Sequence, residues 1–235
     1  MKLIGLKFRG IGPYKGEFSI DFAALTRSHL FLIDGETGAG KTTILDCITF
    51  ALYGGIAGDT RPATKQRLRS RFLDGATERS YADLIFEEGG NYYKVYRSPE
   101  YACEKTRGEG RTVKSAAANM MRVADDYREE FRALTQTDPD AFEANRSAER
   151  YYGFFDEPGH AEPISAKVKE VSTEVITLLG LNRDQFSKTV MLAQGQFAEF
   201  LRMKPEERTG LVKDLFAAQE YEQIQEQLKT MRQQY

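Results

Sequence analysis

The sequence predicts an α/β fold, and three observations predict it. Leu30-Phe31-Leu32-Ile33 is an unbroken apolar run, the pattern of a strand buried on both faces. A glycine-rich loop follows directly, and residues 42–53 then read as a helix stopped by Gly54-Gly55. Around this unit, short alternating segments are separated by glycine turns, which is the pattern of strands and hairpins. The 235 residues suffice for one sizeable core, or one domain with an appendage.

The first strands lie at residues 3–8 and 17–22. In the second, Phe18, Ile20 and Phe22 alternate with Glu17, Ser19 and Asp21, the period of a half-buried strand. Residues 10–16 turn the chain between them, with Gly10, Gly12, Pro13 and Gly16 as the turn formers. Residues 56–80 have the composition of a surface loop with short helical pieces. Residues 81–86 and 92–97 form a hairpin across Glu88-Gly89-Gly90-Asn91. A second hairpin is expected within 99–124, with Arg107 to Arg111 at its tip. Residues 125–160 are charged and aromatic and read as a partly helical insertion. From Ile164 to Leu179 the spacing is helical again, and 189–192 reads as a short strand.

The C-terminal stretch reads as a long helix from Pro205, a residue favoured at the first helical position. Its first half offers Leu211, Val212, Leu215 and Phe216. Tyr221, Ile224, Leu228, Met231 and Tyr235 then follow at spacings of three and four, a heptad seam still running at the last residue. The expected division is therefore a lobe over 1–218, with the insertion at about 125–160, and the root of a coiled coil over 219–235. A seam left uncapped points to a longer parent chain; the plainer reading is a terminal helix packed on its own domain.

Composition narrows the functional classes. With 41% hydrophobic and 29% charged residues the chain resembles an ordinary water-soluble α/β protein, and a net charge of −2 gives no global nucleic-acid signature. Any contact with nucleic acid must come from a local patch. Arg61, Lys65, Arg67, Arg69 and Arg71 form one candidate, and Lys105, Arg107, Arg111 and Lys114 another; most such runs are solvated faces. Two distant cysteines, Cys47 and Cys103, make no disulfide framework or zinc motif, and no membrane span or signal-peptide core is visible, so the cytoplasm is the expected setting.

Gly35-Glu36-Thr37-Gly38-Ala39-Gly40-Lys41-Thr42 matches G-x-x-x-x-G-K-[ST] at every fixed position, between an apolar run and a helix. Glycines at 35, 38 and 40 admit backbone angles that let N–H groups turn inward, and the following helix N-terminus adds its own donors. The site expected is one for ATP and Mg²⁺. Lys41 serves the β- and γ-phosphates, the Thr42 hydroxyl ligates Mg²⁺, and Thr43 meets the α-phosphate. The carboxylate motif usual in such ATPases has two look-alikes, Asp34 after its apolar run and Glu87-Glu88 at the end of another, and both read as structural. A Leu-Ser-Gly-Gly signature is absent. The chain thus holds one phosphate motif without the usual machinery for Mg²⁺ and the attacking water.

Three blocks resemble the N-terminal segment of the SbcC-type ATPases, in the SMC-like DNA-repair group. The first is Leu6-Lys7-Phe8-Arg9-Gly10-Ile11-Gly12-Pro13-Tyr14 with Ile20-Asp21-Phe22. The second is residues 35–46 with Ala51-Leu52-Tyr53-Gly54. The third is Val190-Met191-Leu192-Ala193-Gln194-Gly195-Gln196-Phe197-Ala198-Glu199-Phe200 followed by Lys204-Pro205-Glu206-Glu207-Arg208. The resemblance implies an ABC-ATPase-like N-terminal lobe with β-hairpins and the start of a coiled coil, acting in DNA end processing for double-strand break repair and recombination. The implied partners are the C-terminal half of the same ATPase head, an SbcD-like nuclease, a second head in an ATP sandwich and double-stranded DNA. It makes Gln194, beside Lys41, the second catalytic residue, the Q-loop glutamine that contacts Mg²⁺ and water; read alone, Gln194 is equally a turn residue. It also places Leu73 and Asp74 on a loop passing the nucleotide largely by its backbone. Where many relatives carry Arg-Ser, this chain has Gly12-Pro13, which leaves open a side-chain contact from that loop to phosphate. Two alternatives stand beside this reading: a stand-alone small-molecule kinase, whose lid arginines would be Arg128, Arg132, Arg146 and Arg150, and a nucleotide-switched coiled-coil scaffold.

Overall fold

A computed structural model of the chain describes residues 1–56, 68–105, 107–137, 148–191 and 204. Its strands are β1 (Lys2–Arg9), β2 (Glu17–Asp21), β3 (Tyr81–Glu88) and β4 (Asn91–Ser98). Past a separate hairpin of β5 (Tyr101–Glu104) and β6 (Arg111–Lys114) come β7 (Ala117–Val123) and β8 (Ala161–Ser165). Six of them form one antiparallel sheet in the order β2-β1-β3-β4-β7-β8. The helices are α1 (Phe22–Leu25), α2 (Lys41–Tyr53), α3 (Arg128–Gln136), α4 (Glu149–Asp156), α5 (Val168–Leu179) and α6 (Arg183–Thr189).

Both hairpins fall where the alternation put them. In the β3–β4 turn Glu88 pairs with Asn91, and Gly89 and Gly90 both have positive φ (56° and 78°). That is the type I′ requirement, and its twist matches the flanking strands. The tip between β5 and β6 contains Arg107, as expected.

The sheet is covered on both faces. Leu6, Phe8, Leu84, Phe86, Val95 and Met120 point to one side and pack with Cys47, Ile48 and Ala51 of α2, Val171 and Val175 of α5 and Phe186 of α6. Ile4, Ile85, Tyr92 and Val123 point to the other, where Phe131 of α3 and Tyr151, Tyr152 and Phe155 of α4 cover them. The segment expected to be a partly helical insertion carries α3 and α4 and supplies a second core, built from aromatic side chains that each bury large apolar area.

A buried arginine ties the first layer together. Arg97 of β4 donates from Nε to the Ala51 carbonyl (2.7 Å) and from Nη2 to the Leu52 carbonyl (3.1 Å) at the C-terminal end of α2. It reaches α5 through Val168 O (3.3 Å) and Ser172 Oγ (3.1 Å). Cationic charge at a helix C-terminus is favourable, and burial lowers this guanidinium only to about 10, so it stays charged at neutral pH.

Three expectations about elements are corrected. Residues 30–33 form no strand; Leu30 is 83% and Leu32 86% exposed. A buried strand needs neighbours on both edges, and no described strand pairs with this run. The helix expected from Ile164 begins at Val168, because 161–165 pair with β7 as an edge strand, where Pro163 is tolerated. The strand expected at 189–192 starts inside α6, which ends at Thr189 and opens with a capping box in which Asn182 Oδ1 accepts from Asp184 N and Gln185 N. The Pro205 helix and the coiled-coil seam lie outside the described residues.

Candidate nucleotide site

The glycine-rich loop takes the backbone form its sequence demands. Gly35, Gly38 and Gly40 have φ of 154°, 89° and 99°, and Ala39 N donates to Glu36 O (3.1 Å) to close the turn. Gly40 sits at the N-cap of α2, and no side chain caps that end. The first N–H groups of a helix have no partner within it and favour negative charge. Lys41 folds back over the loop, its Nζ donating to Gly35 O (2.6 Å) and Glu36 O (2.9 Å). Its cation is held by two carbonyls rather than by a carboxylate, so an anion entering the loop meets an available positive charge. Thr42 is exposed and Thr43 half-buried. A side chain at Gly38 would meet no atom within 4 Å, leaving room directly over the loop. This combination of uncapped donors, open space and an ammonium held by loop carbonyls fits a phosphate chain. A hydroxyl beside it suits Mg²⁺, a hard cation that prefers oxygen.

The turn at 10–14 braces the loop from behind. A Cβ on Gly40 would lie 2.7 Å from Tyr14 Cε2 and 2.9 Å from Pro13 Cγ; one on Gly12 would lie 2.8 Å from Thr43 Cγ2. Such distances allow no substitution without movement of the neighbour. Tyr14 is itself wedged edge-on between Phe8 (5.0 Å) and Phe18 (4.9 Å). Gly12-Pro13 therefore offers packing to the loop. The sequence signal for this brace was present in the Gly-Ile-Gly-Pro-Tyr turn, but only the fold puts it against residue 40.

A cleft of about 1100 Å³ runs beside the start of α2, between Thr43 and Asp46 on one wall and the segment 68–75 on the other. Gly12 N donates to Leu68 O (2.9 Å) and Ser70 N to Gly10 O (2.7 Å), so that segment is stitched to the brace. Asp74 lines the cleft. Leu73 does not: its side chain is 4% exposed and packs beneath Gly10, and its carbonyl accepts from Arg69. The exposed side chain at this point is the adjacent Phe72, which hydrophobicity alone assigns to the core. Gln194 lies outside the described residues.

Arg69 leaves the basic cluster to which the sequence assigned it. It is 6% exposed and donates to Glu78 O, Ser80 Oγ, Leu73 O and Ala76 O at 2.8–2.9 Å, while its guanidinium lies 4.0 Å over the Tyr101 ring. Arg61, Lys65 and Arg67 are outside the described residues; Arg71 is exposed. In the other cluster Lys105, Arg107 and Arg111 are exposed on the β5–β6 arm. Glu88 pairs with the N-terminal amine (2.5 Å), in keeping with a structural reading of that carboxylate look-alike. Of the lid arginines in the kinase reading, Arg146 lies outside the described residues, and Arg128, Arg132 and Arg150 sit on α3 and α4, which pack on the sheet face away from α2. There Arg150 engages Thr137 O and Asp21, and Arg128 pairs with Asp125.

A family model described as an AAA domain covers residues 6–235. The chain belongs to that AAA domain family. It is also similar to proteins named as the SbcC component of the SbcCD nuclease: 33% identical over 230 residues to that of Vibrio cholerae, 31% over 229 to that of Lactococcus lactis and 32% over 229 to that of Staphylococcus aureus strain MRSA252. Each alignment takes in 97% of this chain but only 18–19% of the relative, so the chain spans about a fifth of the curated relatives it matches. No helix among the described residues is long and apolar enough to cross a membrane.

Proposed function

We propose that this chain is the ATP-binding N-terminal half of an SbcC-like ATPase head, which joins its C-terminal half and an SbcD-like nuclease to drive ATP-dependent DNA end processing. The observation that carries the reading is the phosphate loop: three glycines at positive φ, an uncapped helix N-terminus and Lys41 poised on loop carbonyls. Residues 35–43 would hold the phosphates, with Lys41 on the β- and γ-phosphates, Thr42 on Mg²⁺ and Thr43 on the α-phosphate. Bound Mg²⁺ would supply charge neutralisation on the reacting phosphate. Gln194 would orient water. The names of the relatives support the nuclease partner.

Two features support a complementary half. The sequence lacks the Asp-Glu and Leu-Ser-Gly-Gly elements that complete such a site. Leu30, Phe31 and Leu32, just before the loop, are exposed where a sheet neighbour would bury them, while Ile33 packs on the core. A second head and non-specific contacts to double-stranded DNA from the exposed arm cations complete the proposal.

Calorimetry tests it. Lys41→Ala should abolish ATP binding and leave the melting temperature of the free protein unchanged, because the lysine has no core contacts. The chain alone should bind ATP with negligible turnover, and turnover should appear when the C-terminal half is added. Robust turnover by the chain alone, lost in Lys41→Ala, would instead favour a stand-alone enzyme.

A further inference from the structure

Resting on the reading of the loop as a nucleotide site, we infer that Phe72 is the platform on which the nucleobase stacks. Phe72 is 67% exposed, at the middle of a 3₁₀ turn, Arg71–Leu73, while both neighbouring anchors, Leu73 and Leu68, are buried. An aromatic ring left in water gives up the stabilisation that burial would bring, and this one lines a cleft where a bound ligand would restore it. It lines the same cleft as Thr43 and Asp46, which extend from the phosphate loop along α2.

Its position is fixed rather than loose. Two residues before it, Ser70 N donates to Gly10 O, and Ile11 bridges to Arg69, so the turn is paired to the strand end that braces Gly40 and Thr43. On its inner side Arg69 spends four donors on the carbonyls of 73, 76 and 78 and the Ser80 hydroxyl, and stacks on Tyr101. The ring is thus carried on a pre-organised loop that shares its cleft with Thr43. A flat π-face held this way suits a purine base, and stacking of a base on an aromatic side chain is tolerant of which base it is.

The test separates base from phosphate. Affinities for MgATP and for inorganic tripolyphosphate are measured by calorimetry on the unmodified protein and on Phe72→Ala, Phe72→Tyr and Lys41→Ala. Phe72→Ala should weaken MgATP about tenfold and leave tripolyphosphate unchanged, and Phe72→Tyr should restore MgATP binding. Because the side chain is exposed, the alanine variant should melt as the parent does. Equal losses on both ligands, or no loss on MgATP, would overturn the platform. Failure of Lys41→Ala to weaken tripolyphosphate would overturn the phosphate-loop reading instead, so the two ideas fail separately.

Discussion

Asp83 shows how one side chain can set the pH response of this fold. It sits on β3 beneath α4, 7% exposed, with Lys94 Nζ 3.9 Å away and its Oδ1 without a hydrogen-bond partner. Lys94 itself lies closer to Asp156, at 3.3 Å, so the attraction is shared. Burial outweighs the lysines and raises this carboxyl from 3.8 to about 7. A carboxyl with a higher pKa folded than unfolded binds more protons in the native state. Its contribution therefore favours the fold at low pH and is lost as pH rises from about 4 to about 7. Asp83→Asn should remove that loss. Melting curves from pH 5 to 8 should fall less steeply for the variant, which should be the more stable protein at pH 8. Parallel curves would show that Asp83 remains ionised throughout. Cys47 needs no such account: its thiol is pushed up by burial on α2 and stays protonated.

The elements that the sequence made legible are those whose partners are local. The β1–β2 and β3–β4 pairs and the β5–β6 arm declare themselves by alternation around glycine turns, and α2 by its loop and its stop at Gly54. Elements whose placement depends on distant neighbours are harder to read. β8 carries Pro163 and weak alternation, and only pairing with β7 makes it a strand. The aromatic residues of α4 read only as part of a charged and aromatic, partly helical insertion, and their core role shows when Tyr152 donates to Asp83 O (2.8 Å) across the sheet. Within the site, the loop was legible, whereas the brace behind it required knowing that residues 10–14 return to residue 40. That brace has a measurable consequence. Gly12 combines φ of 55° with Thr43 at contact distance. Gly12→Ala should cost about 1–2 kcal/mol for the left-handed backbone and displace Thr43, so ATP affinity should fall together with stability. An unchanged affinity would uncouple the turn from the phosphate loop.

At the scale of the whole molecule, the described residues make a covered sheet with one unfinished edge of chemistry beside it. The sheet faces are buried by helices on both sides, yet Leu30, Phe31 and Leu32, which lead straight into the phosphate loop, are 83%, 37% and 86% exposed. The local sequence is that of a two-face-buried strand, so the conflict lies between local pattern and available partners rather than in the pattern itself. Backbone N–H and C=O groups in such a run gain from pairing, and each buried leucine adds about 1.5–3 kcal/mol. The complementary half proposed above would provide both. Leu32→Asp separates these views, because it places a charge where no contact now exists. The variant chain should melt within about 0.5 kcal/mol of the parent, as surface substitutions do, and should bind ATP equally well. It should lose the turnover gained on mixing with the C-terminal half, since a carboxylate buried between sheet strands is strongly unfavourable. Hydrogen exchange supplies the second reading: amides 30–33 should exchange quickly in the chain alone and become protected in the mixture. Full turnover by the Leu32→Asp variant, with those amides still unprotected, would mean that the run stays solvent-facing in the working head and that the two halves meet elsewhere.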